Sequence, residues 1–159
     1  MGDTPAAGAE RRRDVFLDKA QPASYQAAAA LALEVGAAAE AAGLDRRLVE
    51  LLNIRVSQIN GCAYCLDLHR RRAVEAGESE RRLVVLDAWS ETSLFSEQER
   101  AALQLVESIT RLPEPDERRY AEDEARAVLG DAAYTAVAWV AITMNAFNRI
   151  SITSHHPVR

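Results

Sequence analysis

The residues best suited to chemistry lie in one short run: Glu50, eleven intervening residues, Cys62, two residues, Cys65, three residues and His69. Cys62 and Cys65 are the only cysteines in the 159 residues. In a reducing compartment so close a pair points to redox chemistry or metal binding rather than a permanent crosslink. Two side chains three positions apart at a helix start share a face, with Cβ atoms roughly 5–6 Å apart, whereas a disulfide wants about 3.5–4.5 Å. A tightened first turn closes that gap and leaves the bond strained and reducible, which suits a cycling dithiol and disulfide pair. The unpaired N–H groups and the dipole of a helix start favour thiolate, and by themselves favour it at Cys62.

His69 stands one helical turn beyond Cys65 on the same face, within reach of its sulfur as base or ion-pair partner. A positioned base acts on one sulfur, so His69 favours Cys65 as the reactive thiol. Glu50 shares a stripe with Asn53, Ile54 and Ser57 on the preceding helix. If Gly61 turns the chain back, Glu50 lies about 16 Å before the turn and His69 about 12 Å after it, at one level of a helical hairpin. Glu50 can then orient His69 and hold its proton, completing a nucleophile, base and orienter. Other readings remain. The cysteines can be core residues, and Cys62, Cys65 and His69 with His155 or His156 can hold zinc. Zinc is disfavoured because the ligands crowd one turn and no second cysteine pair exists. A thioredoxin-like site needs a βαβ context that the pattern does not offer. No metal and no cofactor is therefore expected.

The elements that must position these residues read as helices throughout. Prolines stand only at 5, 22, 113, 115 and 157, leaving two long helix-permissive blocks. Gly43, Gly61, Gly77 and Gly130 each follow an apolar-periodic stretch, as helix C-caps do. The first helix is expected from about Ser24 to Ala42, with Gly36 as its weak point. Asp45 caps a second that puts Leu48, Leu52, Val56 and Ile59 on one stripe and ends at Asn60-Gly61. A third spans Cys62 to Ala76, and a short one Glu80 to Trp89. Ser96 to Glu99 forms a capping box opening a helix to about Arg111. Asp116 to Leu129 is a polar helix, and Asp131 caps the last, apolar one to about Ile150. No lasting strand alternation and no internal repeat interrupts this pattern. The fold class is all-α: a single-domain bundle of about six to seven helices over 21–153, with a partly flexible N-terminal arm at 1–20 and a C-terminal tail at 154–159. His155-His156 reads as a flexible polar end.

Composition excludes several classes. Hydrophobic residues are 48% and charged residues 27%, which is globular rather than disordered or fibrous. A net charge of −5 offers no general attraction for nucleic acid, and Arg70-Arg71-Arg72 is flanked by acidic residues and reads as a solvated helix face. No signal peptide, myristoylation motif or apolar run of membrane-span length is expected, so neither nucleic acid nor membrane is an expected partner and the expected location is cytoplasmic. The last helix, apolar around much of its circumference, favours a homo-oligomer.

Taken together, Glu50, Cys62, Cys65 and His69 in this spacing resemble, position for position, the motif of the alkylhydroperoxidase D-like branch of the carboxymuconolactone decarboxylase family. The run from Arg55 through Ser57, Asn60, Gly61 and Tyr64 to Cys65 is similar too, as are Ala88 to Thr92, Glu97 to Ala102 and Asn145 to Arg149. The likeness extends from about Arg12 to Ile152. It implies an all-helical fold assembling as trimers or hexamers, often with the active site near a subunit interface, and a thiol-dependent hydroperoxide reductase. On that analogy Cys65 is peroxidatic, Glu50 and His69 draw off its proton, a sulfenic acid forms, Cys62 condenses with it, and an external dithiol or protein reductant restores the pair. Tyr64 stands where some such enzymes have histidine, so an extra proton relay there is absent. The wider family's decarboxylases generally lack the cysteine pair, which argues against lactone decarboxylation. The tail from Ser151 to Pro157 departs from the more apolar ending the resemblance suggests. A non-catalytic, redox-sensing or partner-binding member of the same family is the alternative.

Overall fold

Pro22 opens the first long helix, a proline at a helix start losing no hydrogen bond that the helix would have made. In the computed structural model, which describes residues 13–158, the order is α1 (Leu17–Ala20), α2 (Pro22–Ala41), α3 (Arg46–Asn60), α4 (Ala63–Glu75), α5 (Glu80–Val84), a 3₁₀ turn (Leu86–Glu91), α6 (Glu97–Arg111) and α7 (Pro115–Thr153). No strand occurs among the described residues, as the all-α expectation requires. Residues 1–12 of the expected N-terminal arm lie outside the described residues.

The caps read from the sequence are largely in place. Asp45 accepts the Leu48 N–H at 2.8 Å. In the Ser96 box, Ser96 Oγ accepts from Glu99 N at 3.2 Å, and Glu99 Oε2 accepts from Ser96 N at 2.7 Å. Three boundaries differ. The first long helix starts at Pro22, preceded by the short α1. The segment expected as one helix over Glu80–Trp89 splits at Val85 into α5 and the 3₁₀ turn. The two C-terminal helices join into α7 with a break at Gly130, where φ is 73° and ψ 164°. Asp131 does not cap there: its carboxylate accepts from Arg126 Nε across the break. Gly36 leaves α2 unbroken, because fifteen good helix formers (Ala, Leu, Glu and Gln) and tertiary packing outweigh one glycine of a 20-residue helix.

α7 is the spine, packed against α6, α3 and α2. Ala133, Ala136, Val137, Val140, Ala141 and Met144 bring it into the core beside Leu51, Leu52, Leu103 and Leu105. Its opposite side keeps Trp139 and Ile142 at 46% and 47% exposure. Contrary to the hydropathy expectation, α7 is long and apolar enough to cross a membrane, with an 18-residue window of mean hydropathy 1.5; the residues that raise that value include those buried in this core.

Candidate active site

The chemistry-bearing residues are brought together by the turn at Gly61. Gly61 adopts φ 68° and ψ 35°, the left-handed conformation that only glycine enters freely. Cys62 N–H donates to Ser57 O at 3.0 Å and Gly61 N–H to Gln58 O at 3.3 Å, the paired bonds that terminate a helix and reverse the chain. α3 and α4 pack together as a hairpin.

Across that hairpin His69 Nδ1 lies 2.7 Å from Glu50 Oε2, the contact that level-counting along the two helices anticipates. Both residues are buried, at 7% and 5% exposure. With Nδ1 committed to Glu50, Nε2 has no protein partner among the described residues and is the nitrogen left for chemistry. Arg46 Nε stands 3.9 Å from the other Glu50 oxygen.

The cysteines are both reduced and buried, but their surroundings differ. Cys62 is the N-cap of α4, and its Sγ accepts the Cys65 N–H at 3.4 Å. Burial pushes the Cys62 thiol up to about 12, assisted by its S–H bond toward Cys65 and only partly opposed by the Cys65 N–H and the Asn148 amide. The helix-start argument that favours thiolate at Cys62 is therefore outweighed by desolvation. Cys65, His69 and Glu50 all line one cavity of about 680 Å³, whereas Cys62 lies outside its lining. Cys65 and His69 therefore border the same space.

Behind Cys62 sits a polar cluster. Asn148, fully buried, donates to Ser57 Oγ at 3.0 Å and accepts from Asn60 Nδ2 at 2.9 Å. Asn60 also donates to Asn145 Oδ1 at 2.9 Å, and Ser57 Oγ–H to Asn53 O at 2.7 Å. This explains why polar residues punctuate the apolar face of α7: they satisfy the end of α3 at the cysteine turn.

The sequence reading misses a third group. His156 is not a free polar end. His155 takes a left-handed φ of 51°, and His156 N–H and His155 N–H bond back to Ser151 O and Ile152 O, each at 3.1 Å. This turn folds His156 onto Phe16, with ring centroids 5.5 Å apart, and toward Tyr64 at 5.3 Å. Its Nε2 lies 3.1 Å from Asp18 Oδ1, and the Leu17 N–H donates to Ser154 Oγ at 3.0 Å. Phe16, Asp18 and His156 line the same cavity as Cys65. No local pattern marks this pairing of positions 138 apart; an aromatic and an acid, Phe16 and Asp18, ahead of the first long helix were its only signal. Among the described residues, no three His, Cys, Asp or Glu side chains gather as a metal site.

Comparison with known proteins agrees with this architecture. Residues 22–108 match the carboxymuconolactone decarboxylase family. The uncharacterized protein YdfG of Bacillus subtilis (strain 168) is 40% identical over 112 residues, 69% of this chain and 74% of that protein. The uncharacterized protein YnjA of Escherichia coli (strain K12) is 34% identical over 71 residues, 44% of this chain and 38% of that one. A crystal structure from Agrobacterium tumefaciens, of a protein of unknown function described as a candidate antioxidant defence protein AhpD, superposes with a TM-score of 0.83 at 29% identity, covering 93% of this chain and 99% of that one. The chain thus belongs to the carboxymuconolactone decarboxylase family and has the AhpD-like form of its fold.

Proposed function

We propose that the protein is a thiol-dependent hydroperoxide reductase, an oxidoreductase of the alkylhydroperoxidase type, in which Cys65 is peroxidatic, Cys62 resolving, and Glu50 with His69 the proton relay. The observation that carries this reading is the convergence of Cys65, His69 and Glu50 on one cavity, with Glu50 fixing His69 Nδ1 at 2.7 Å. The antioxidant description of the Agrobacterium neighbour points the same way.

In the proposed cycle His69 takes the Cys65 proton, and Glu50 stabilises the imidazolium. The thiolate attacks the terminal peroxide oxygen. An S–O bond forms as the O–O bond breaks, and the departing alkoxide takes up a proton as the alcohol. Cys65 is then a sulfenic acid. Cys62, adjacent across the first turn of α4, displaces its hydroxyl as water to give the disulfide, and an external dithiol or protein reductant returns both thiols. A reducing, cytosolic setting suits this last step. The exposed side of α7, with Trp139 and Ile142 three positions apart on one face, is where we expect copies of the chain to meet in a homo-oligomer.

The test is a stopped-flow titration of the reduced protein with hydrogen peroxide and with an organic hydroperoxide, counting free thiols. Loss of both thiols at one equivalent, restored by a dithiol, and steady turnover with that dithiol are expected. Thiols that survive excess peroxide would overturn the reading. A single oxidation without turnover would favour a redox-sensing protein instead.

A further inference from the structure

The cavity that Cys65 lines has both apolar and charged side chains in its walls. Tyr25, Leu33, Val49, Met144 and Phe147 contribute to its walls. Five charged residues also line it: Asp18, Lys19, Glu50, Arg71 and Arg72. The two carboxylates are engaged, Glu50 by His69 and Arg46 and Asp18 by His156. Arg71 is paired with Asp67 at 2.9 Å. Lys19 and Arg72 have no carboxylate within 4.0 Å among the described residues. Among the described residues, two cations of the cavity lining therefore stand without a carboxylate partner.

Lys19 is not at the end of a loose arm. Its Nζ lies 4.7 Å from the centroid of the Phe16 ring, and that ring is stacked on His156. The Asp18–His156 and Leu17–Ser154 bonds pin the same turn to the end of α7. Arg72 follows Cys65 by seven residues on α4, about two turns or 10 Å along the helix. Both cations line the cavity that Cys65 lines, so a molecule held there with its reacting end at Cys65 has positive charge available along the same wall.

We propose that the site selects amphipathic hydroperoxides that carry an anionic group, of the hydroperoxy fatty acid class, with Lys19 and Arg72 pairing with the carboxylate. This rests on the hydroperoxide reductase reading and narrows its substrate. The carboxylate takes no part in the redox step, in which the thiolate and one proton convert the hydroperoxide to the alcohol as written above. Each ion pair is partly solvated, so its contribution is modest and sensitive to salt.

The experiment compares a medium-chain hydroperoxy fatty acid with its methyl ester, both kept below their aggregation concentration. In the wild type the acid is expected to show a KM roughly three- to tenfold below that of the ester at low salt, and the preference should shrink as salt is raised. In Lys19→Gln, Arg72→Gln and the double variant, the ratio of the two KM values should move stepwise toward one. A wild-type ratio of one, unmoved by salt or substitution, overturns the anion assignment while leaving hydroperoxide reduction intact. Should neither hydroperoxide oxidise Cys65, the functional reading fails, and binding is read directly: protection of Cys65 from iodoacetamide by the saturated fatty acid but not by its methyl ester supports the anion site, and equal protection by both overturns it.

Discussion

His69 Nδ1 meets Glu50 Oε2 at 2.7 Å across the α3–α4 hairpin, with both groups almost wholly buried. A carboxylate in that place fixes the tautomer of the imidazole and stabilises its charged form. Replacing Glu50 by Gln keeps the shape and a hydrogen bond but removes the charge. We expect the oxidation of Cys65 by a hydroperoxide to slow by roughly 10- to 100-fold, with the pH-rate profile displaced upward. Stopped-flow rates across pH check this. An unchanged profile would show that Glu50 only supports the hairpin.

The two thiols should differ in the opposite sense to that suggested by a helix start. Burial, followed by the S–H contact with Cys65, moves Cys62 from 9.0 to about 12. In Cys65→Ser the remaining thiol should react with iodoacetamide at about pH 8 at least roughly tenfold more slowly than the thiol left in Cys62→Ser. Because folding raises the Cys62 value, its contribution to stability is complete below about pH 9 and is lost as pH rises toward about 12. Denaturant unfolding at alkaline pH should therefore weaken the wild type more steeply than Cys62→Ala.

How much of this site was legible depends on how local its determinants are. Asp45, Gly61 and the spacing of Glu50, Cys65 and His69 specify a hairpin within twenty-five residues, so counting 1.5 Å steps is enough to place Glu50 level with His69. The Ser96 capping box is likewise contained in four residues. The Asp18–His156 contact joins the two ends of the chain, and it requires His155 in a conformation that a non-glycine residue seldom takes. Neither periodicity nor composition carries that information. Gly130 was legible as a punctuation point. That the helix resumes directly, with Asp131 turned to Arg126 rather than to a cap, is not written in the local pattern, where an aspartate after a glycine reads as a helix N-cap.

Gly61 provides a test of the turn that is separate from the chemistry. A Cβ at this position would meet nothing within 4 Å, yet φ is +68°, so Gly61→Ala carries a conformational cost alone. About 1–2 kcal/mol of destabilisation is expected in urea unfolding. Since the same turn aims Cys62 and Cys65, peroxide-driven thiol loss should slow as well. A variant with full stability and altered reactivity would locate the effect in the cysteines rather than in the backbone.

Away from the cavity, Glu107 holds the 3₁₀ turn and α3 to α6. One of its oxygens accepts from Arg55 Nε at 2.6 Å and from Trp89 Nε1 at 2.7 Å. Desolvation works to raise its carboxyl, but the Trp89 and Arg55 bonds and the charges of Arg55 and Arg111 together leave it below the ordinary value of 4.5. The stability drawn from a lowered carboxyl is present above about pH 4.5 and is lost as pH falls through the folded value. Glu107→Gln leaves Arg55, only 7% exposed, without its counter-charge. It should cost about 2–3 kcal/mol at neutral pH, short of the ~3–5 kcal/mol for a fully buried pair. Urea unfolding from pH 7 down to about pH 3 should give curves that converge: the wild type falls steeply below about pH 5, and the variant falls less because it has no proton to gain there. Curves that stay parallel over that range would assign the acid sensitivity to other carboxylates.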